Sequence, residues 1–557
     1  MTQKTCFQCS APFEITQDDK AFYREAGLTV ASKHFSIPEP VTCPACRMQR
    51  RIAHRNFFNL CHRTSSLSDK RIISMYDEDV PFPVYEIHEW WSDRWDGLRY
   101  GREVDFGRPF FDQLGELFNV VPRMSIFNNN CENTDYCNFS FQSRNCYLIG
   151  GNVGNEDCCY GHIVWLSKNC YDCLYIYRCE RCYECVDCVQ CYELAFSHGC
   201  DNCSNGTLLV HCSGCKDCIG CVGLKNKQYC VFNQPFSRED YERKMQEFDR
   251  GSHVMIELAR KRLADLTRKE VVRHYHGVNC EDVTGDYLYN CKGVHDSYDA
   301  KNCEDCRFLA TAESFVHSYD SNYCPSTCEW SYQCVACNGS SLFCCHNTMY
   351  SAETAYCQDC SSCKNCFGCA SLKSKQYCIF NRQYTRQEYE ELVPRVIEHM
   401  QQTGEWGQFF PITMSPFGYN QTMAQEYFPL TEEKVEKRGW RWVVQKSTAD
   451  EYLGPRVAVS DRIQDVPDDI TQKILLCSAS KQPYKIIPQE LEFCRSMTLP
   501  LHTECFAERH RRRMRLKNPR HLWSRTCAKC GKGIETTYAP ERPEIVYCES
   551  CYLSSVY

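Results

Sequence analysis

The sequence predicts a multidomain, mainly β protein: zinc-ribbon or treble-clef-like modules at the two ends flank two duplicated cysteine-rich β-solenoid lobes, each followed by a capping α-helix. Three observations predict it. C-x-x-C knuckles stand in pairs at both termini, a cysteine-rich block recurs 148 residues on, from Cys215 to Cys363, and inside each block the cysteines are spaced short and regularly. Forty-seven cysteines in 557 residues would read as a disulfide framework in an exported chain. Met1 to Cys6 carry no apolar signal core, and no apolar run approaches the ~20 residues of a membrane span. The cysteines are therefore expected to be metal ligands and reduced thiols of a cytoplasmic protein. A net charge of −7 gives no global nucleic-acid signature, so any such function would rest on local patches.

Residues 1–62 read as a four-cysteine zinc module with a basic helix. Cys6-Phe-Gln-Cys9 is followed after 33 residues by Cys43-Pro-Ala-Cys46; at the other end, residues 525–557, Cys527-Ala-Lys-Cys530 is followed after 17 by Cys548-Glu-Ser-Cys551. Four soft thiolates fill a tetrahedral zinc ion and leave no open position, so both sites read as structural, and two Zn2+ are expected. Moving the C-terminal ribbon back by 462 residues, Cys527 to Ser65, reveals a related stretch at 63–125. Arg63-Thr64, Tyr76, Pro81 and Val84-Tyr85 match Arg525-Thr526, Tyr538, Pro543 and Val546-Tyr547, but the ligand positions hold Ser65, Ser68, Glu86 and Glu89. This is a degenerate ribbon with an amphipathic helix, held by apolar packing for which Trp90, Trp91 and Trp95 are material. Residues 471–524 form a degenerate copy of the N-terminal module: Cys477 and Ser480 match Cys6 and Cys9, while the second knuckle survives as Cys505 and Glu508.

Each end also carries a basic stripe. Arg47, Arg50, Arg51, His54 and Arg55 recur at helical spacing, as do Arg509, Arg512, Arg513 and Lys517. Basic helices beside zinc ribbons contact nucleic acid through phosphates, so RNA or the ribosome is the expected partner; a solvated helix face is the alternative.

Residues 126–234 and 276–382 are the two solenoid lobes, with nineteen and sixteen cysteines. Units of 9 to 12 residues cannot bury a face alone, so they stack. The run Cys182-x-x-Cys185-x-x-Cys188-x-x-Cys191 has period 3, which fits neither strand nor helix and predicts tight corners with small side chains inward. A helical connector, 235–275, and a helix with connector, 383–470, follow the lobes, entered through Ser237-Arg-Glu-Asp240 and Thr385-Arg-Gln-Glu388 as capping boxes. Three readings of the array cysteines stand: buried reduced thiols, disulfide ladders, or ligands of several metals or an iron–sulfur cluster. Tyr147, Tyr160, Tyr171, Tyr183, Tyr192 and Tyr229 form an outer stripe for a chain-like ligand or for packing helices.

The segments Phe409-Phe-Pro-Ile-Thr-Met-Ser-Pro-Phe-Gly-Tyr-Asn420 and Glu426-Tyr-Phe-Pro-Leu430, the Trp90-Trp-Ser-Asp93 element and the Leu-Lys-x-Lys-Gln-Tyr blocks resemble, over nearly the full length, an uncharacterised family of cysteine-rich zinc-ribbon proteins of candidate-phylum bacteria. The resemblance implies cytoplasmic zinc binding, and it implies ligands where this chain has Ser65, Ser68, Glu86 and Glu89. His88, His274, His276 and His346 are scattered and no phosphate-cradling glycine loop is present, so no small-molecule substrate is identified. The expectation is a non-enzymatic zinc-binding scaffold contacting RNA or the ribosome; the alternative is a metal-storage or redox protein using the array.

Overall fold

Every third residue of the lobes lies in the left-handed region of backbone space, and this builds the fold. From Asn145 (φ 53°) through Asp157, Tyr160, Asn169, Asp172 and Tyr175 to Phe232 (φ 48°), positive φ recurs at each third position. Each such residue turns the chain, so four three-residue sides close one coil of 12 residues. The bridges confirm the pitch: Arg144 pairs in parallel with Glu156, Glu156 with Lys168, and Lys168 with Glu180. The computed structural model describes residues 2–324, 327–444, 454 and 457–556; the rest of the expected 383–470 connector lies outside the described residues.

The period-3 cysteines follow from this geometry. Cys170, Cys173, Cys182, Cys185 and Cys188 each come directly after a left-handed corner and are buried in the coil interior. There the Cys170 thiol donates to the Lys168 carbonyl at 3.3 Å and to the Cys179 carbonyl of the next coil at 3.5 Å. Cys173, Cys182 and Cys185 repeat the pattern. A thiol suits the position because it is small, apolar and a weak donor at once. Serine serves equally where it occurs: Ser197 Oγ donates to the Ala195 carbonyl at 3.0 Å. Lobe 2 follows the same plan with a first coil of 11 residues, Gly277 to Leu288, and later one coil longer by a residue, Tyr319 to Tyr332, and the next shorter by one, Tyr332 to Phe343.

Both lobes end alike. The strands Gln228–Val231 and Gln376–Ile379 each turn back into a two-residue antiparallel strand. At those turns the side-chain amides of Asn233 and Asn381 bond the N–H and C=O of Val222 and Ala370, standing in for the next coil. Replacing the buried Asn381 by alanine strips partners from three backbone groups, the N–H and C=O of Ala370 and the C=O of Gly97, each at a cost of about 1 to 3 kcal/mol. The expected result is faster amide exchange over Gln376–Ile379 with the first coils of lobe 2 unchanged.

The following helices, Arg238–Glu247 and Arg386–Gln402, set Tyr241 on Tyr229 and Tyr389 on Tyr377, with ring centroids 5.5 and 5.7 Å apart. Thr385 and Glu388 make the full capping box; Ser237 accepts from the Asp240 N–H, but Asp240 bonds the Ser237 hydroxyl in place of its backbone.

The four terminal modules attach to the lobes in two equivalent pairs. The degenerate ribbon's Val84–Tyr85 pairs with Arg123–Met124 ahead of lobe 1, and the C-terminal ribbon's Ile545–Tyr547 pairs with Val271–Arg273 ahead of lobe 2. The other two modules cover the tyrosine faces crosswise. Phe22 of the N-terminal module stacks on Tyr319 of lobe 2 (3.8 Å, 6°), and Phe493 of the degenerate module stacks on Tyr171 of lobe 1 (4.1 Å, 14°). The tyrosine stripe is thus packing surface: Tyr160 and Tyr183 are buried with Tyr171, and only Tyr192 of the six is substantially exposed.

Candidate metal centres and the buried basic helices

Four knuckles share one backbone. In each, the N–H of the fourth residue beyond the first ligand position returns to that residue's carbonyl: Ser10 to Cys6 (2.9 Å), Lys481 to Cys477 (3.0 Å), Asp69 to Ser65 (3.0 Å) and Gly531 to Cys527 (2.9 Å). All four of those residues have positive φ, between 56° and 74°. The flanking hairpins agree in register across the predicted offsets. Cys61–Thr64 pairs with Arg71–Ser74 as Trp523–Thr526 pairs with Gly533–Thr536, and Leu475 and Leu476 pair with Tyr484 and Pro483 as Lys4 and Thr5 pair with Phe13 and Pro12.

Two of these knuckles are completed by thiols. Cys6, Cys9, Cys43 and Cys46 bring their sulfurs within 4.8 Å of one another, and Cys527, Cys530, Cys548 and Cys551 do the same. The Cys9–Cys43 and Cys530–Cys548 sulfur pairs are each 3.7 Å apart. Sulfurs at about 2.3 Å from a tetrahedral ion stand about 3.8 Å apart, so each cluster can hold one metal ion. The second knuckle lies at a helix start in both modules, with Cys43 capping Pro44–Ile52 and Cys548 preceding Glu549–Val556. The Cys43 thiol is brought down to about 5, first by its hydrogen bond with Cys46. At Cys527 burial raises the thiol, but N–H groups of Cys548 and Cys530 outweigh it and hold the group near 6.

The degenerate modules close without a four-thiol set. Ser65 Oγ donates to Glu89 at 2.5 Å and accepts from the Glu86 N–H, while the Glu86 carboxylate caps the N–H groups of His88 and Glu89. Trp90 is fully buried behind them, its indole N–H on the Pro122 carbonyl. At the other end Ser480 Oγ lies 3.7 Å from Cys505 Sγ.

The basic stripes form helices as expected, Pro44–Ile52 and Phe506–Met514, but the expectation of a phosphate-facing surface is corrected: the stripes face the lobes. Arg47, Arg51, Arg55, Arg509, Arg513 and Lys517 are buried, and Arg50 and Arg512 are partly buried. One aspartate receives each pair. Asp320 takes Arg47 on Oδ2 (3.0 Å) and Arg51 on Oδ1 (2.7 Å); Asp172 takes Arg509 on Oδ2 (3.0 Å) and Arg513 on Oδ1 (2.6 Å). Asp172 and Asp320 are 148 residues apart, and the arginine pairs 462 apart, so the duplication has copied the contact whole. Arg512 pairs with Glu184 and Glu504, Lys517 with Asp187 and Asp299, Arg50 reaches Gln333 and Gln408, and Arg55 reaches Asn347 and lies over Phe139. Burial opposes ionisation of Asp172, but Arg509 and Arg513 outweigh it and hold the carboxyl well below its usual range.

Among the described residues, two further groups bring three donors together: Asp172 with Glu490 and His502, and His162 with Glu426 and His510. In the first, Arg509 already bridges Asp172 and Glu490, so the cation there is a guanidinium. The second carries no such cation; its members come from three distant segments, and nothing in their spacing could have joined them. None of the four groups includes an array cysteine, so the reading of the array as a multi-metal or cluster site finds no supporting geometry among the described residues. None of the 47 cysteines is joined to another in a disulfide. No helix among the described residues is long and apolar enough to cross a membrane. No protein-family model matches the chain, and no curated protein matches it.

Proposed function

We propose that this is a zinc-dependent structural protein of a reducing, cytoplasmic compartment, in which two zinc ions close the outer modules of a clamped, thiol-lined scaffold. The observation that carries the reading is the pair of closed four-thiol clusters, each with a sulfur pair at 3.7 Å, beside two knuckles of the same backbone that hold one thiol, Cys477, or none. Four thiolates leave no coordination position for a substrate, which favours a structural over a catalytic ion. Soft thiolate sets select zinc among the common divalent ions that do not change redox state.

The experiment is a metal and thiol measurement on one sample of the full chain, purified under reducing conditions. Zinc with a sulfur shell at about 2.3 Å in X-ray absorption is expected. Cys43→Ser with Cys46→Ser should remove one sulfur-bound zinc, and Cys548→Ser with Cys551→Ser another. Denaturation in chelator without reductant should expose 47 reactive thiols. Sulfur-bound iron in place of zinc, or fewer thiols because of disulfides, would overturn the reading.

A further inference from the structure

We propose that His162, His510 and Glu426 form a third metal site, a two-histidine, one-carboxylate set for a divalent first-row transition ion. Their donor atoms lie within 4.8 Å of one another. His162 comes from strand His162–Trp165 of lobe 1, His510 from helix Phe506–Met514, and Glu426 from the short connector helix Met423–Tyr427. His510 Nε2 stands 3.3 Å from both Glu426 oxygens, and the two imidazole centroids are 5.5 Å apart.

His162 is the independent observation that points to a ligand. It is 0% exposed, and among the described residues neither of its ring nitrogens has a hydrogen-bond partner. A buried polar group left without a partner is costly. Among the described residues His346 alone shares with His162 two such nitrogens on one ring, and it has no carboxylate and second imidazole gathered with it in a donor group. A metal ion held with His510 and Glu426 would give one of those nitrogens the partner it lacks.

The duplicated architecture supplies an internal control. The offsets that carry Asp172 onto Asp320 and Arg509 onto Arg47 carry His162 onto Ala310 and His510 onto Met48. Ala310 and Met48 are both buried in the apolar core of the other half. The fold at this place is therefore satisfied by small and apolar residues, and packing alone does not require two histidines. Glu426 lies in a connector that is not part of the duplication, so the site belongs to one half only.

Imidazole and carboxylate donors suit zinc or ferrous iron, and three protein ligands leave coordination positions open. Phe57, Phe58 and Phe506 pack around the two imidazoles. Glu426 is the exposed member and marks the entry path. Of the cations whose charge acts on His162, Lys517 and Arg520 are paired with Asp187 and Asp299, while Arg55 reaches the neutral Asn347.

The test counts zinc bound to the full-length chain after loading with Zn2+ and removal of loose metal. His162→Ala with His510→Met copies the other half and should fold; it is expected to bind one zinc fewer than the parent. The nitrogen and oxygen shell in X-ray absorption should shrink while the sulfur shell stays. Glu426→Gln, on a side chain 26% exposed, is expected to weaken the same ion at least tenfold and decides the matter if the double variant does not fold. Equal zinc content and affinity in parent and Glu426→Gln would overturn the proposal, as would a double variant that folds and keeps every ion. The Cys43→Ser, Cys46→Ser variant loses only sulfur-bound zinc, so failure of the thiolate reading and failure of this one are read separately.

Discussion

Chelating zinc is expected to melt two of the four terminal hairpins and leave the other two intact. The affected pair are Thr2–Thr5 with Pro12–Ile15 and Trp523–Thr526 with Gly533–Thr536, because theirs are the knuckles completed by four thiols that can hold a metal ion. Structural zinc contributes about 10 to 16 kcal/mol of apparent binding energy in zinc-finger peptides near neutral pH. No set of hydrogen bonds at about 1 kcal/mol each replaces that, and without metal four thiols crowd at one point. The spared pair, Cys61–Thr64 with Arg71–Ser74 and Leu475–Leu476 with Pro483–Tyr484, close through Ser65, Glu86 and Glu89 or lie over the core around Phe493. Amide exchange before and after chelation reads all four hairpins in one experiment. If all four lose protection together, the degenerate modules depend on their intact relatives; if none does, zinc is not what closes the intact ones. Cys43→Ser with Cys46→Ser should reproduce the loss at the first hairpin alone.

The knuckle spacing, the offsets of 148 and 462 residues and the period-3 corners were readable because each is a local backbone requirement. A C-x-x-C turn needs its ligands three positions apart, and a three-residue side needs a small inward residue after each corner, wherever the rest of the chain lies. The direction of the basic stripes was not readable, for an equally physical reason. Asp172 and Asp320 sit at corner positions with φ 54° and 57°, and Glu184, Asp187 and Asp299 have φ 50° to 52°. Aspartate and asparagine are common at left-handed corners for backbone reasons alone, so the counter-ions resembled turn residues. Arg51 and Asp320 are 269 residues apart, and charge pattern on one helix does not say what faces it. His162 was hidden likewise, as a single residue in a strand of an array whose visible signal is cysteine.

Asp172→Asn and Asp320→Asn are each expected to destabilise the folded chain by about 3 to 5 kcal/mol, the cost of leaving buried charge without its partner. Asp320→Asn leaves Arg47 and Arg51, at 2% and 0% exposure, with only neutral acceptors such as the Thr42 carbonyl and Asn322. Asp172→Asn is milder within that range, since Arg509 keeps Glu490 at 2.8 Å. The two changes share no partner, so their costs should add. Replacing the whole set by Arg47→Met, Arg51→Met and Asp320→Leu should cost less than Asp320→Asn alone, because no charge is then left stranded. Chemical denaturation of the four variants checks this, and an Asp320→Asn protein as stable as its parent would sink it. The pH dependence has a definite sign. Asp172 and Glu184 are held below their usual values, and Asp286, where burial is outweighed by His276 and Thr537, near 2. Carboxyls depressed in the fold contribute stability that is complete above their unfolded values, about 4, and lost as pH falls through the folded ones. Acid should therefore release the C-terminal modules from lobe 1 while the coils, whose ladder is backbone and thiol, persist. The same arginines read as a nucleic-acid surface would have predicted stability indifferent to their neutralisation; here Arg47→Ala together with Arg51→Ala strands Asp320, and the clamp opens from the other side.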